Sequence, residues 1–75
     1  MITIFGTPNC GYCREAKALC NRKGLEYNYV DITVENVDFS DLEKLTGKKV
    51  KTVPQIFNGQ EYIGGYKEFK ERVEK

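Results

Sequence analysis

Apolar and polar positions along this 75-residue chain alternate between a strand-like and a helix-like period. The run Ile2-Thr3-Ile4-Phe5 is short, apolar and β-branched, as in a buried parallel strand. Gly6-Thr7-Pro8-Asn9 reads as a loop. From Gly11 to Lys23 the residues tolerate helix, Glu15 to Leu19 above all. The inward stripe of that helix is Tyr12 or Cys13, then Ala16, then Leu19 and Cys20. Gly24 suits the position just past a helix end, and Arg22 and Lys23 suit the negative end of the helix dipole. Residues 25–32 alternate well enough for a second strand. The segment between the two strands is long enough for a right-handed parallel crossover.

The second half switches more often. Ser40-Asp41-Leu42-Glu43 has the form of a capping box, so it predicts a helix start; residues 34–39 are open to an extra turn. Leu42 and Leu45 face inward in this reading, Gly47 ends the helix, and Lys48-Lys49-Val50-Lys51 is a basic loop. Val53 to Phe57 reads as a third strand with proline near its start, where a missing N–H is tolerated. Asn58-Gly59 predicts a type I′ hairpin turn into a fourth strand over residues 60–63. Gly64-Gly65 allows a tight bend. Residues 66–74 make a last helix with Tyr66, Phe69 and Val73 on one stripe. No repeat, linker or low-complexity segment interrupts this order, so a single domain over residues 1–75 is expected.

Composition narrows the chemistry. Twelve basic and eleven acidic residues leave a net charge of +1, which carries no nucleic-acid signature. Met1 leads straight into a strand-like run, so no secretory leader is expected, and no apolar run is long enough for a membrane span. The expected setting is cytoplasmic, where persistent disulfides are rare and C-x-x-C usually means catalysis or metal. Histidine is absent, which removes His-containing zinc sites, His general bases and Cys–His nucleophile pairs together. Three cysteines cannot complete a four-cysteine zinc site in one chain.

What remains is sulfur chemistry at Cys10-Gly11-Tyr12-Cys13. A lone C-x-x-C is a weak signal, but between a strand and a helix it marks a thioredoxin-type redox motif. The thiolate is the nucleophile, and a cysteine pKa of ~8.5 falls to ~3.5–7.5 at helix N-termini and in such motifs. Cys10 stands at the expected helix N-terminus, with Arg14 and Lys17 in the first turns. Cys13 lies one turn deeper. The order assigned is therefore Cys10 as attacking thiol and Cys13 as resolving thiol. Cys20 follows Cys13 by seven residues, about 10 Å of helical rise. That is too far for a disulfide, so Cys20 reads as a small buried hydrophobe.

Three further features surround the motif. The Val53-Pro54 bond is open to either isomer; sequence alone favours trans. A cis bond would turn the Val53 N–H and C=O outward, ready to pair with an extended peptide. Gly64-Gly65 before a helix lets a ligand approach the backbone, and the helix start favours a carboxylate, although such a pair also serves as a plain tight turn. The Lys48–Lys51 loop offers a second carboxylate site, against the commoner fate of a solvated loop.

Taken together these residues resemble the glutaredoxin family. Cys10-Gly-Tyr-Cys13 is similar to its C-x-Y-C site, Thr52-Val53-Pro54-Gln55-Ile56-Phe57 to the segment around its cis-proline, and Ile63-Gly64-Gly65 to its I-G-G turn. Ala16 to Leu19 reads like its first helix, and order and spacing agree over nearly the whole chain. The resemblance implies an α/β thioredoxin fold, β-α-β-α-β-β-α, with a four-stranded mixed sheet flanked by three helices. It implies a glutathione-dependent disulfide oxidoreductase acting on protein disulfides and glutathione mixed disulfides. The implied glutathione site joins Tyr12, Thr52, Val53 and Pro54 to Gly65, Tyr66 and Lys67 for the γ-glutamyl carboxylate. Thr7 and Lys51 are implied for the glycyl carboxylate. A monomer with glutathione as co-substrate and no metal is expected, with disulfide-bearing proteins such as ribonucleotide reductase as partners. The chain departs from the family's common residues in three places. Gly11 stands where proline is frequent, Thr7 where lysine is frequent, and Lys67-Glu68 where Thr-Asp is frequent.

Two other readings use the same cysteines. Two chains, each offering Cys10, with two glutathiones would supply four thiolates to a [2Fe–2S] cluster, a reading that Gly11 favours. Alternatively the same fold takes its electrons from a thioredoxin reductase.

Overall fold

The computed structural model describes residues 1–74. Among them four strands and three helices follow in the order β1 (Ile2–Gly6), α1 (Gly11–Lys23), β2 (Tyr27–Asp31), α2 (Phe39–Thr46), β3 (Gln55–Asn58), β4 (Glu61–Gly64) and α3 (Tyr66–Val73). The sheet order is β2-β1-β3-β4. β1 pairs parallel with β2, Ile2 opposite Tyr27 and Gly6 opposite Asp31. The β1–β3 and β3–β4 pairs are antiparallel. This is the mixed four-stranded α/β arrangement expected from the pattern.

The alternation in β1 sends side chains to two separate cores. Ile2 and Ile4 join Ala16, Leu19 and Cys20 of α1, Ile56 of β3 and Phe69 of α3. On the other face Phe5 packs with Val37 and Val53 against Ile32, Leu42 and Val50. Consecutive residues of a strand point to opposite faces, so one short strand serves both layers. In α1 the inward stripe is Cys13, Ala16, Leu19 and Cys20, all fully buried, while Tyr12 is exposed. Gly24 closes α1 at φ 67°, with Gly24 N–H bonded to Asn21 C=O and Leu25 N–H to Cys20 C=O, the two bonds of a Schellman stop. Phe69 is fully buried, and Tyr66 and Val73 pack partly buried against the same core.

Five local expectations are corrected. The capping box of α2 is built by Asp38 and Asp41, not by Ser40 and Glu43. Asp41 N–H donates to Asp38 Oδ1 at 3.0 Å, and Asp38 N–H donates to Asp41 Oδ2 at 3.1 Å. The earlier start leaves the Glu43 carboxylate free to accept from the Val50 N–H at 3.1 Å, which ties the basic loop back to α2. Leu45 is not inward: α2 turns Leu42 into the core shared with Ile32 and Val50, and Leu45 remains 59% exposed. β3 starts at Gln55 rather than Val53, because its pairing with β1 begins at Gln55 opposite Phe5. The hairpin has Gly59 and Gln60 as its central residues, since Asn58 still pairs with Glu61. Positive φ occurs at Gly59 and not at Gln60, the pattern of a type II′ turn rather than type I′. Val53-Pro54 is cis, where sequence alone favoured trans.

The reassigned cap has a direct consequence. Asp38→Ala is expected to cost about 0.5–2 kcal/mol of stability, and Ser40→Ala about 0.5 kcal/mol or less. Urea unfolding of the two variants measures the difference.

Candidate active site

β1 ends at Gly6, which must be glycine for a packing reason. A Cβ there would lie 2.6 Å from Cys13 Sγ and still closer to the Tyr29 hydroxyl. Tyr29 in turn donates to the Thr7 carbonyl at 2.8 Å, and Lys17 Nζ lies 4.4 Å from the centre of its ring. These contacts bind the turn after β1 to β2 and α1. Burial, with the Asp31 charge adding to it, raises the Tyr29 pKa, so the phenol keeps its donating proton.

The turn delivers Cys10 to the N-cap of α1, with φ −99° and ψ 116°. Its Sγ accepts from the Cys13 N–H at 3.1 Å, in the place where an oxygen usually caps a helix. No acidic side chain stands in the first turn of α1 to oppose an anion there. Cys10 is part-buried and Cys13 has no exposed surface. The two are joined as a disulfide with Cα atoms 5.1 Å apart. Cys10 Sγ also lies 3.6 Å from the Val53 carbonyl oxygen, a contact that only the protonated thiol can make as a donor. Cys20 is fully buried and unpaired by disulfide, and burial pushes its thiol pKa up.

Beside Cys10 runs a groove of about 610 Å³. Thr52, Val53 and Pro54 form one side. Gly65, Tyr66, Lys67, Glu68 and Lys70 form the other, and Tyr12 stands at the end near the cysteines. The rings of Tyr12 and Tyr66 stack with centroids 5.8 Å apart, so α1 and α3 meet beside the groove through an exposed and a half-buried ring. Gly64 has φ 131°, a conformation that L side chains rarely adopt, and a Cβ there would crowd the Glu68 side chain at 3.0 Å. Glu68 folds back instead, and its Oε1 accepts from the Gly65 N–H at 3.1 Å. The cationic Lys67 and Lys70 thus flank a helix start whose own carboxylate is already engaged.

Of the residues singled out from sequence, Tyr12, Thr52, Val53, Pro54, Gly65, Tyr66 and Lys67 line this groove together. Thr7 and Lys51 do not line it. Thr7 is committed through its carbonyl to Tyr29, and Lys51 is exposed in the loop before Thr52. Sequence reasoning named Glu68 only as a departure from the family's common residues, without placing it in the site, and it missed Lys70. The signal for Lys70 was available in the helical spacing, since Lys70 follows Lys67 by three residues on the same face. It also missed the hydrogen bonds of Gln55, which nothing in a linear pattern marks.

Comparison with known proteins decides the family. The glutaredoxin family model matches residues 2–63. This chain belongs to the glutaredoxin family. Glutaredoxin 1 of Salmonella typhimurium is 48% identical over 71 residues, covering 88% of this chain and 82% of the relative. The oxidised glutaredoxin of Escherichia coli superimposes with a TM-score of 0.88 at 42% identity, covering 99% of this chain and 93% of that one. A buckwheat glutaredoxin–glutathione complex superimposes with a TM-score of 0.83 at 29% identity, covering 97% of this chain and 67% of that one. The family's fold is thus the fold seen here, and Cys10 and Cys13 occupy its redox-active position. The chain is a thiol–disulfide oxidoreductase.

The unequal burial of the three cysteines sets an order of reactivity. In the reduced protein, limiting iodoacetamide is expected to label Cys10 first and to leave Cys13 and Cys20 unmodified until the chain is unfolded. Peptide mass spectrometry checks the order.

Proposed function

We propose that this glutaredoxin takes its electrons from glutathione and reduces both glutathione mixed disulfides and protein disulfides. The observation that carries the reading is the groove. A part-buried sulfur at a helix start lies 3.6 Å from the Val53 carbonyl, at the edge of a cleft rimmed by lysines. Glutathione is an extended tripeptide with two carboxylates. Its cysteinyl unit pairs with the Val53 backbone, as an added strand does. Its γ-glutamyl carboxylate meets the N–H groups at the start of α3, beside Lys67. Its glycyl end reaches toward Lys51, next to the Thr52 wall. The buckwheat relative is a complex with glutathione, which supports the same ligand here.

The steps follow from the unequal cysteines. The Cys10 thiolate attacks the glutathione sulfur of a mixed disulfide. The old S–S bond breaks, its other sulfur leaves as a thiolate and takes up a proton, and Cys10 carries glutathione. A second glutathione thiolate attacks that adduct, which yields glutathione disulfide and restores the Cys10 thiolate. With a protein disulfide, Cys10 first becomes linked to the substrate. Cys13 then attacks Cys10 Sγ, releases the protein dithiol and leaves the Cys10–Cys13 disulfide. Two glutathiones reduce it. The motif geometry supports this second step, because the Cα atoms of Cys10 and Cys13 are close enough for the bond. We assign the work to a single-domain monomer in the reducing cytoplasm. Disulfide-bearing enzymes such as ribonucleotide reductase are the acceptors that the family resemblance implies.

Cys10→Ser is expected to abolish turnover in a glutathione-coupled mixed-disulfide assay. Cys13→Ser is expected to retain that turnover and to lose reduction of protein disulfides. Full activity of the Cys10→Ser variant would overturn the assignment.

The binding mode has its own check. Titration of the reduced protein with glutathione, followed by amide NMR, is expected to shift resonances near Cys10, Val53, Gly65 and Lys67. No shift at millimolar glutathione, together with turnover driven by thioredoxin reductase, would replace the electron source.

A further inference from the structure

Among the described residues Gln55 is the one buried polar side chain, 6% exposed at the first position of β3. An amide in that position needs a partner at each end, and it has both. Its Nε2 donates to the Thr52 carbonyl at 2.8 Å, and its Oε1 accepts from the Tyr62 hydroxyl. The Tyr62 ring packs against Phe57 with centroids 5.2 Å apart, so the hydroxyl is held in place from β4. Burial, helped by the Glu68 charge, raises the Tyr62 pKa and keeps this donor protonated.

Neither Gln55 nor Tyr62 lines the groove. Their hydrogen bonds end on its wall. Thr52 precedes Val53, and the Val53 carbonyl is the backbone atom that faces Cys10 Sγ at 3.6 Å. The loop from Lys51 to Pro54 has no ladder bonds of its own, because β3 pairs with β1 only from Gln55 onward. The amide of Gln55 is therefore what fixes the carbonyl at the start of that wall. Gln suits the role chemically: it donates and accepts at once, whereas a glutamate would accept only and a leucine would do neither.

We propose that Gln55 and Tyr62 are positioning residues, whose hydrogen-bonded pair holds the Thr52 carbonyl, and through it the Val53 backbone, at the spacing from Cys10 that substrate binding requires. The inference rests on the reading that the groove receives the glutathione moiety of the disulfide substrate. It predicts a binding defect without a thiol defect. The reactivity of Cys10 is set mainly by the N–H groups at the start of α1, the Cys13 N–H at 3.1 Å nearest, and this pair does not touch them.

The test is steady-state kinetics of the full chain on a glutathione mixed disulfide, with wild type, Tyr62→Phe, Gln55→Met and the double variant. Tyr62→Phe keeps the ring against Phe57, and Gln55→Met keeps length and burial. Each single variant is expected to raise KM about three- to tenfold with kcat within about twofold of wild type. The double variant is expected to be no worse than the poorer single one, as coupled residues behave. The rate of Cys10 alkylation is expected to stay at the wild-type value in all four proteins. Wild type without turnover removes the glutathione reading and this inference with it. Turnover by wild type beside unchanged KM in both single variants overturns the inference alone. It is also overturned if KM, alkylation rate and melting temperature all change together, since that is a general loss of structure.

Discussion

Sulfur replaces oxygen at the start of α1, and the rest of the site is arranged around that substitution. Cys10 occupies the N-cap and accepts from the Cys13 N–H. A serine or aspartate there would satisfy the same donor more strongly, but it would do no redox chemistry. The unpaired N–H groups of a helix start favour an anion, and in a cysteine that anion is the nucleophile. The cap is thus the local reason that the helix begins where it does, and it gives the proposed attacking thiol an electrostatic setting that Cys13 lacks. The three-residue offset to Cys13 does the rest. One turn of helix carries the second sulfur from the rim into full burial, while the Cα atoms stay 5.1 Å apart.

Holding Cys10 at that point requires contacts from both sides of the sheet. Gly6 lets Cys13 Sγ and the Tyr29 phenol close over the end of β1 without a side chain between them. Tyr29 secures the following turn through the Thr7 carbonyl. Behind α1 the core packs Ala16, Leu19 and Cys20 against Ile4, Ile56 and Phe69. The groove is then closed by segments more than 40 residues away in sequence. The Thr52–Pro54 loop brings its backbone to Cys10, and the Gly64-Gly65 bend turns the start of α3 to face it.

Electrostatics in the groove are mixed rather than uniformly cationic. Lys67 and Lys70 and the start of α3 attract carboxylates, but the Glu68 carboxylate takes the Gly65 N–H for itself. Only the N–H groups further into the first turn remain for a ligand. Where an acidic side chain of this length stands at the third position of the helix, it caps the helix as well as charging the cleft. Both tyrosines that could extend the apolar floor are paired with each other, which joins α1 to α3 directly beside the opening.

Much of this was legible in the linear pattern. The element order, the apolar run of β1, the glycine stop of α1, the helix-start place of Cys10 and the burial of Cys20 follow from short-range periodicity and from the chemistry of single residue types. Those constraints act within a few residues, so the chain states them locally. The choice between competing local signals was settled elsewhere. Ser40-x-x-Glu43 and Asp38-x-x-Asp41 both spell a cap, and the second prevailed while Glu43 went to the Val50 N–H. Asn58 stayed in the ladder opposite Glu61, which moved the turn one residue along. Leu45 had the right spacing for a core, yet α2 offers the sheet only the Leu42 side. The cis bond at Pro54, the Gln55 clamp and the Tyr12–Tyr66 stack depend on which distant segments meet. Sequence by itself determined the redox pair and the elements that carry it, because a helix start and a two-residue spacing are local facts. Tertiary structure alone decided the groove, because its walls are joined by hydrogen bonds and packing between segments that are remote along the chain.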